Sequence, residues 1–224
     1  MAGLAISRPM IRRRAFILVT LAAPRVAHAE RLVPVSVDSP TGTGLVARLR
    51  AGGLVLFFRH ADTTGENCDR SFRLGDRAGQ RNISPAGRAQ SAAIGKRLAA
   101  LDIPIAEPVL AGPVFRARDT AEASFGAARM LVTDSLLADD YAGGRLAWVL
   151  AEHRRLFSEA PPAGRNRVLV GHRTPAIQVV GDAVAGRAFP EGAALVIEPG
   201  PGGFVVLGIV EFTRAPGSGF HGCG

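Results

Sequence analysis

The sequence predicts an α/β fold, a three-layer helix–sheet–helix sandwich with a mostly parallel central sheet and an antiparallel edge. Leu54–Phe58 and Arg167–Gly171 are largely apolar runs, which are typical of parallel strands that helices cover on both faces. Segments with helical spacing lie between these runs, and alternating strands and helices favour a layered sandwich. Near the end of the chain, Ala193–Ile197 and Phe204–Val210 flank a run rich in Pro and Gly, which predicts a hairpin at one end of the sheet.

The first half of the chain predicts an arm, the first strand, a long loop and two helices. Residues 30–52 form the arm, which ends in a short helix before the strand. Residues 61–80 are polar and predict a loop, and loops of this length in compact domains are usually functional. Ser84-Pro85 supplies an N-cap and a first-turn proline for the next helix. A short strand at Glu107–Ala111 follows, and Gly112-Pro113 opens another helix.

The second half continues the alternation of strands and helices. Ala128–Val132 predicts a third strand, which an acidic loop follows. Arg145–Ala160 has apolar residues on one side of a predicted helix, and we expect His153 on its solvated face. Thr174-Pro175, again an N-cap residue followed by proline, predicts a helix over Ala176–Val184.

The first 29 residues have the pattern of a secretory signal peptide. Arg12–Arg14 precede a short apolar run, Ala15–Ala23, and Ala27-His28-Ala29 matches a small-x-small cleavage site. The pair Arg13-Arg14 also fits a twin-arginine signal. The apolar run is shorter than the roughly 18–20 residues that a membrane span needs. We therefore expect cleavage after Ala29 and an exported, periplasmic protein whose mature chain has no membrane span.

Length and composition allow one main domain. The chain has 224 residues, of which 47% are hydrophobic and 21% charged, so it can bury a core. The predicted parts are an export signal at 1–29, an N-terminal arm at 30–52, the main domain at 53–212 and a C-terminal tail at 213–224.

The net charge gives no indication of a nucleic-acid partner. The formal charge is +8, but residues 1–29 hold five Arg and no acid. Without them 22 basic and 19 acidic side chains remain, a balance of +3 that is too small to predict binding to nucleic acid or to an anionic membrane. The oligomeric state is left open.

The two cysteines leave their pairing undecided. Cys68 and Cys223 could form a disulfide in an oxidising compartment, but two free thiols agree with the sequence equally well.

Basic residues and imidazoles stand where strands end. Arg59-His60 follows the first strand and His172-Arg173 follows the later apolar strand, while Arg116 lies one turn into its helix. If the strands are parallel neighbours, these groups meet at one edge together with helix N-termini. Guanidinium groups and fixed N–H donors bind the oxygens of a phosphoryl group, and an imidazole can act as nucleophile. The sequence therefore predicts a phosphoryl-transfer site.

Three segments carry a resemblance to a known family. Arg59-His60, the run from Gly112 to Ala121 and Gly171-His172 resemble, in order, the signature blocks of the histidine phosphatase superfamily, which has the phosphoglycerate-mutase-like fold. The run from Gln80 to Gln90 is similar to the segment after the first block in exported bacterial members. The resemblance spans about Gly53 to Val210.

The resemblance implies a role for each matching residue. His60 becomes phosphorylated, Arg59 and Arg116 clamp the phosphate, and His172 stabilises the transferring group. The family needs neither a metal nor an organic cofactor, and its substrate would be a small phosphorylated compound. The further candidates for substrate binding are Asn67, Arg173 and Thr64.

The sequence departs from the family pattern at three matching positions. Ala61 stands where Gly is common, Gly112 replaces the usual Ser, and Arg173 follows the second His, where a small or acidic residue is more frequent.

The proton donor to the leaving group is the least defined role. Related enzymes use an acid in the loop after the third strand, which here holds Asp139 and Asp140, and we take Asp140 as the catalytic candidate. Asp139, Asp62 and Glu66 are the alternatives.

The predicted function is that of an exported, metal-independent phosphatase that hydrolyses phosphomonoesters through a phosphohistidine. A catalytically weak phospholigand-binding protein of the same fold is the alternative. A metal-dependent hydrolase lacks support, because no His/Asp pair has ligand spacing.

Overall fold

The computed structural model describes residues 30–64 and 68–221, together with Met1. The predicted export signal lies outside the described residues, and so do the candidates Glu66, Asn67 and Cys223. Within the described part of the chain, no helix is long and apolar enough to cross a membrane.

A seven-stranded sheet forms the centre of the molecule. Its order is β1-β7-β6-β2-β5-β3-β4, and among these strands β6 alone runs against the others. The predicted architecture, mostly parallel with an antiparallel hairpin, is confirmed. The strands are β1 (Pro34–Ser36), β2 (Val55–Arg59), β3 (Val109–Ala111), β4 (Met130–Val132), β5 (Arg167–Gly171), β6 (Ala194–Gly200) and β7 (Gly203–Glu211).

The described residues form six α-helices beside the sheet. They are α1 (Pro40–Ala51), α2 (Pro85–Ala100), α3 (Phe115–Phe125), α4 (Asp139–Ala142), α5 (Leu146–Ser158) and α6 (Arg173–Val180). Ser84 caps α2 as predicted, because its hydroxyl accepts a hydrogen bond from the N–H of Gly87. The Gly87 position also needs glycine, since a Cβ there would lie 2.1 Å from the carbonyl oxygen of Asp62.

Two hydrophobic cores lie on opposite faces of the sheet. Leu56 and Phe58 of β2 belong to the core that α1, α2 and α3 cover. Val55 and Phe57 belong to the core under α5 and α6. The alternation follows from the two-residue period of a strand, and burial of every β2 side chain explains why this run shows no polar face.

Several elements begin elsewhere than the sequence predicts. α3 begins at Phe115 rather than at Gly112-Pro113. α6 begins at Arg173 with His172 at the N-cap position, so the predicted cap at Thr174 is wrong. The arm contributes β1, a strand that the sequence analysis did not anticipate and that pairs with β7 at the edge of the sheet.

The position of His153 also differs from the prediction. The residue is completely buried rather than solvated, and its Nδ1 donates a hydrogen bond to the carbonyl oxygen of Val149. Its ring packs against Phe57 and Phe157, with centroids 5.9 and 6.0 Å away. The helix therefore turns this imidazole into the core.

Candidate active site

The carboxyl ends of β2, β5 and β3 meet at one edge of the sheet and form the floor of a pocket. His60 follows β2 and His172 follows β5, and their ring centroids lie 5.6 Å apart. The pocket has a volume of about 280 Å³. It is lined by Arg59, His60, Asp69, Arg81, Arg116, Ala138, Asp139, Asp140, His172, Arg173, Thr174 and His221.

His60 is a neutral imidazole with one ring nitrogen hydrogen-bonded to the protein backbone. Its Nδ1 lies 2.9 Å from the carbonyl oxygen of Ala61. Because a carbonyl can only accept, Nδ1 carries the proton and Nε2 keeps its lone pair. Burial, followed by the charges of Arg116 and Arg59, lowers the pKa of His60 well below its ordinary value. The residue therefore has the form that a nucleophile needs at neutral pH.

His172 faces His60 from the neighbouring strand end. Neither ring nitrogen of His172 has a hydrogen-bond partner among the described residues, although both are buried. Burial, with the charge of Arg116, lowers the pKa of His172 well below its ordinary value. A buried polar ring without partners is costly, so this imidazole is suited to binding a polar group that enters the pocket.

Gly112 leaves room for the backbone carbonyl of Leu136 beside the pocket. A Cβ at this position would lie 2.3 Å from the carbonyl oxygen of Leu136 and 3.6 Å from His172 Nε2. The departure from the usual Ser therefore has a steric reason in this chain.

Arg59 is buried and heavily bonded. One terminal nitrogen donates to Glu191 Oε1 at 3.1 Å, and the other donates to the carbonyl oxygen of Phe189 at 2.8 Å. Burial lowers the pKa of Arg59 from its ordinary value to about 9, against the opposing effect of Glu191. The guanidinium thus stays charged at neutral pH.

Arg116 comes from the first turn of α3 and pairs with Asp69. Its Nη1 donates to Asp69 Oδ2 at 2.8 Å, and the hydroxyl of Tyr141 donates to the same oxygen at 2.7 Å. Burial alone would raise the pKa of Asp69, but Arg116 and the backbone N–H of Arg81 outweigh it, and the pKa is lowered. Asp69 therefore stays ionised and fixes the direction of the Arg116 side chain.

Arg81 is a pocket residue to which sequence reasoning assigned no role. It lines the pocket, and its backbone N–H bonds to Asp69. Burial, then the charge of Arg116, lowers its pKa. The sequence feature that could have indicated Arg81 is its place in the run from Gln80 to Gln90. This run carries part of the family resemblance, but the resemblance assigned no role to the arginine.

Two acids that follow β4 line the pocket, but they belong to the short helix α4 and not to the predicted loop. Asp139 and Asp140 both line it. Burial, with the charge of Asp140, raises the pKa of Asp139. Asp139 is half-buried, whereas Asp140 is exposed.

Of the other described candidates, the structure brings Arg173 to the pocket, but not Thr64 or Asp62. Arg173 lines the pocket, and its guanidinium bonds to the carbonyl oxygen of Gly186. Thr64 is exposed and lines a neighbouring cavity that shares Arg81 with this pocket. Asp62 lies outside the pocket lining and accepts a hydrogen bond from the Ser84 hydroxyl at 2.5 Å.

One group of side chains has the composition of a metal site. Potential ligand atoms of Asp62, Glu191 and His221 lie within 4.8 Å of one another. Glu191 already accepts hydrogen bonds from Arg59 and from His221 Nδ1. A cation bound here would have to replace the hydrogen bond from His221 Nδ1 to Glu191 and share the Glu191 carboxylate with the Arg59 guanidinium.

The disulfide question is answered for one of the two cysteines. Cys68 is disulfide-bonded, and the other cysteine of the chain, Cys223, lies outside the described residues.

Taken together, the pocket lining offers the His60 imidazole with an available lone pair, the His172 imidazole without a hydrogen-bond partner among the described residues, the imidazole of His221, four arginines and three acids. Fixed positive charge in a confined pocket stabilises charge that develops on phosphoryl oxygens. The arrangement can therefore bind a phosphate group and transfer it to a nitrogen.

Comparisons with known proteins give no sequence match. No protein-family model matches the chain, and no curated protein matches it. Among solved structures, it is similar to protein histidine phosphatase SixA in complex with tungstate, at 16% identity and a TM-score of 0.47, covering 71% of this chain and 97% of that one.

Two further solved structures are similar. A mycobacterial glucosyl-3-phosphoglycerate phosphatase in complex with VO3 is 20% identical, with a TM-score of 0.49, and the match covers 69% of this chain and 97% of that one. A phosphoserine phosphatase variant from Entamoeba histolytica in complex with phosphoserine is 11% identical, with a TM-score of 0.45 and coverages of 70% and 95%. Because all these TM-scores lie below 0.5, the functional argument rests on the residues of the pocket.

Proposed function

We propose that this protein is a phosphatase that hydrolyses small phosphomonoesters through a phosphohistidine on His60. The observation that carries the proposal is the state of this residue: a buried, neutral imidazole whose Nδ1 is held by the Ala61 carbonyl. Its Nε2 is the nucleophilic atom. The pocket volume of about 280 Å³ suits a phosphate with a small leaving group.

The first step forms the phosphoenzyme. His60 Nε2 attacks phosphorus, the bond from phosphorus to the ester oxygen breaks, and a carboxyl of α4 gives its proton to the leaving oxygen. Arg59 and Arg116 bind the phosphoryl oxygens, and His172 donates a hydrogen bond to them. Arg81 and Arg173 add positive charge at the same pocket.

The second step releases phosphate. Water attacks phosphorus and the phosphorus–nitrogen bond breaks, which returns its electron pair to Nε2. The carboxylate takes the proton from the water. No step calls for a metal, so the proposed reaction is metal-independent.

The substitution His60→Asn tests the nucleophile. An asparagine amide can still donate to the Ala61 carbonyl but has no atom in the place of Nε2. We expect hydrolysis of p-nitrophenyl phosphate in the presence of EDTA to fall about a thousandfold or more. Labelled phosphate should be trapped as an acid-labile adduct on the wild type and not on the variant. Lys96→Ala, at an exposed position on α2, is the control and should keep the wild-type rate.

Equal rates for the wild type and H60N would contradict the proposal. A wild type that binds phosphate but forms no adduct and turns over no ester would instead identify a phospholigand-binding protein that uses the same pocket. Loss of wild-type activity on treatment with EDTA would contradict metal independence.

We also propose that the protein is exported through the twin-arginine route to the periplasm. The proposal is supported by the charged, apolar and small-x-small pattern of residues 1–29 and by the disulfide at Cys68, a bond typical of oxidising compartments. N-terminal sequencing of protein from the periplasmic fraction should begin at Glu30. Protein that keeps its first residues in the cytosolic fraction would rule export out.

A further inference from the structure

The chain segment Ser218–His221, here called the C-terminal clasp, lies against the pocket. The sequence analysis assigned it to a tail beyond the main domain. In the structure the N–H of Glu191 donates to the carbonyl oxygen of Gly219 at 2.8 Å. Gly219 is buried at φ +68°, and a Cβ there would lie 3.1 Å from Pro190 Cβ. The clasp therefore packs closely on the residues that lead into β6.

The clasp supplies much of the surroundings of Arg59. The backbone carbonyl of His221 accepts from Arg59 Nη2 at 3.2 Å, and that of Gly219 lies 3.5 Å from Arg59 Nη1. The ring of Phe220 lies 5.2 Å from the Arg59 guanidinium carbon, within cation–π range. Three successive clasp residues thus contact one guanidinium.

The His221 side chain reaches the same guanidinium through Glu191. His221 Nδ1 lies 2.8 Å from Glu191 Oε2, and Glu191 Oε1 accepts from Arg59 Nη2 at 3.1 Å. Since the carboxylate can only accept, His221 Nδ1 carries a proton and donates it. Asp62 Oδ1, 3.8 Å from the same nitrogen, is the other acid facing it.

Glu191 depends on these contacts because its side chain is completely buried. A buried carboxylate is stable only where donors satisfy both oxygens. Arg59 and, at 3.4 Å, the Thr63 hydroxyl donate to Oε1, whereas His221 is the donor to Oε2 among the described residues. Removing the His221 donor frees the carboxylate to shift, and the shift displaces the arginine that lines the pocket.

We propose that His221 is a positioning residue of the phosphate-binding site, which holds Glu191 and through it orients Arg59. The proposal rests on the proposed function for the identity of the anion. It makes the C-terminal clasp a part of the active site, although the clasp is separated from Arg59 by about 160 residues of sequence.

The test compares His221→Asn with His221→Leu. The asparagine amide can donate from the position of Nδ1, whereas leucine cannot donate at all. We expect the dissociation constant of inorganic phosphate, measured by calorimetry, to rise about tenfold or more in H221L, since hydrogen bonds to charged groups are the strong ones. KM for p-nitrophenyl phosphate should rise in parallel, and H221N should restore most of both values.

Arg214→Ala is the matched control. Arg214 is exposed in the same C-terminal segment and lies outside the pocket lining, so its loss removes one positive charge without touching Glu191. Phosphate binding should be unchanged in this variant. Thermal melts of all variants separate a change in binding from a loss of folded protein.

The outcomes decide the proposal separately from the catalytic one. A folded H221L with wild-type phosphate affinity overturns it, and so does an H221N as weak as H221L. If the wild type binds phosphate but hydrolyses nothing, the catalytic proposal fails while the binding comparison still decides the role of His221. A wild type that binds no phosphate overturns both.

Discussion

Asp139 and Asp140 are adjacent in the chain, but their surroundings differ. Asp139 is half-buried, and burial, together with the charge of Asp140, raises the pKa of its carboxyl. Asp140 is exposed. An acid that protonates a leaving group must hold its proton at the working pH. We therefore propose Asp139 as the donor, in preference to Asp140, which the sequence analysis put first.

The leaving group distinguishes a proton donor from other roles. We expect Asp139→Asn to slow hydrolysis of an alkyl phosphate about a hundredfold or more, because the alkoxide needs a proton. For p-nitrophenyl phosphate, whose leaving group is stable as an anion, kcat/KM reports phosphoenzyme formation and should stay near the wild-type value, whereas kcat, which includes phosphoenzyme hydrolysis by the same carboxylate, should fall for both esters. The wild-type rate on the alkyl ester should fall as the pH rises through the pKa of the donor, and D139N should lose this dependence. Steady-state kinetics on both esters across pH measure this.

Asp140→Asn is the control for charge and position. It should keep the leaving-group preference and the pH profile of the wild type. If D140N and not D139N loses the alkyl ester selectively, the donor is Asp140. If neither does, the proton comes from another group.

Single residues were predictable where a strand end fixes their place. Arg59 ends β2, and His60 and His172 follow β2 and β5, so the parallel order brings all three to one pocket. Arg81 was missed because the path of the polar loop, which no periodicity describes, decides where it points. His153 was predicted on the solvated face, although Val149 lies one helical turn before it on the same buried face. The four-residue spacing from Val149 therefore indicated that His153 is buried.

At the scale of elements, most strands and helices were predicted, including the short strands β3 and β4, which begin two residues later than expected, and among the described strands β1 is the exception. β2, β5 and α2 were placed within a residue or two, because buried runs and an N-cap followed by proline are strong local signals. β1 has three residues, too few to show a period, and exists because β7 offers it an edge. α6 begins directly after the strand, with no residues left for the loop that the Thr174 cap would need.

The C-terminal clasp shows the same limit. Gly-rich sequence around Ser218–His221 predicts no helix or strand, and the clasp forms neither. Its place comes from backbone bonds to Glu191 and Arg59, whose geometry exists only after the sheet has formed. The contact between the clasp and Arg59 joins residues far apart in the sequence, so the sequence alone does not indicate it.

At the scale of the whole molecule, folding buries three histidines in their neutral form, which lacks the second ring proton of the cation. His60, His153 and His172 each have a pKa lowered from the ordinary 6.5, first of all by burial. Above that value the folded and unfolded chains both hold them neutral. As the pH falls through about 6.5, the unfolded chain takes up protons that the folded chain refuses, so the free energy of unfolding falls until the folded pKa is reached.

We expect each of these histidines to contribute a slope of up to about 1.4 kcal/mol per pH unit below about pH 6. His153→Leu, which removes one of them outside the pocket, should reduce the slope by about that amount, as measured by urea unfolding at successive pH values. Burial raises the pKa values of Asp139 and Glu211, so these acids make the free energy of unfolding rise as the pH falls. Their contribution is the same in the wild type and in H153L, and it therefore cancels in the difference between the two slopes. Val149→Ala, on the same helix face, should lower stability equally at every pH. An H153L protein with the wild-type slope would mean that the folded chain protonates His153 as readily as the unfolded chain does.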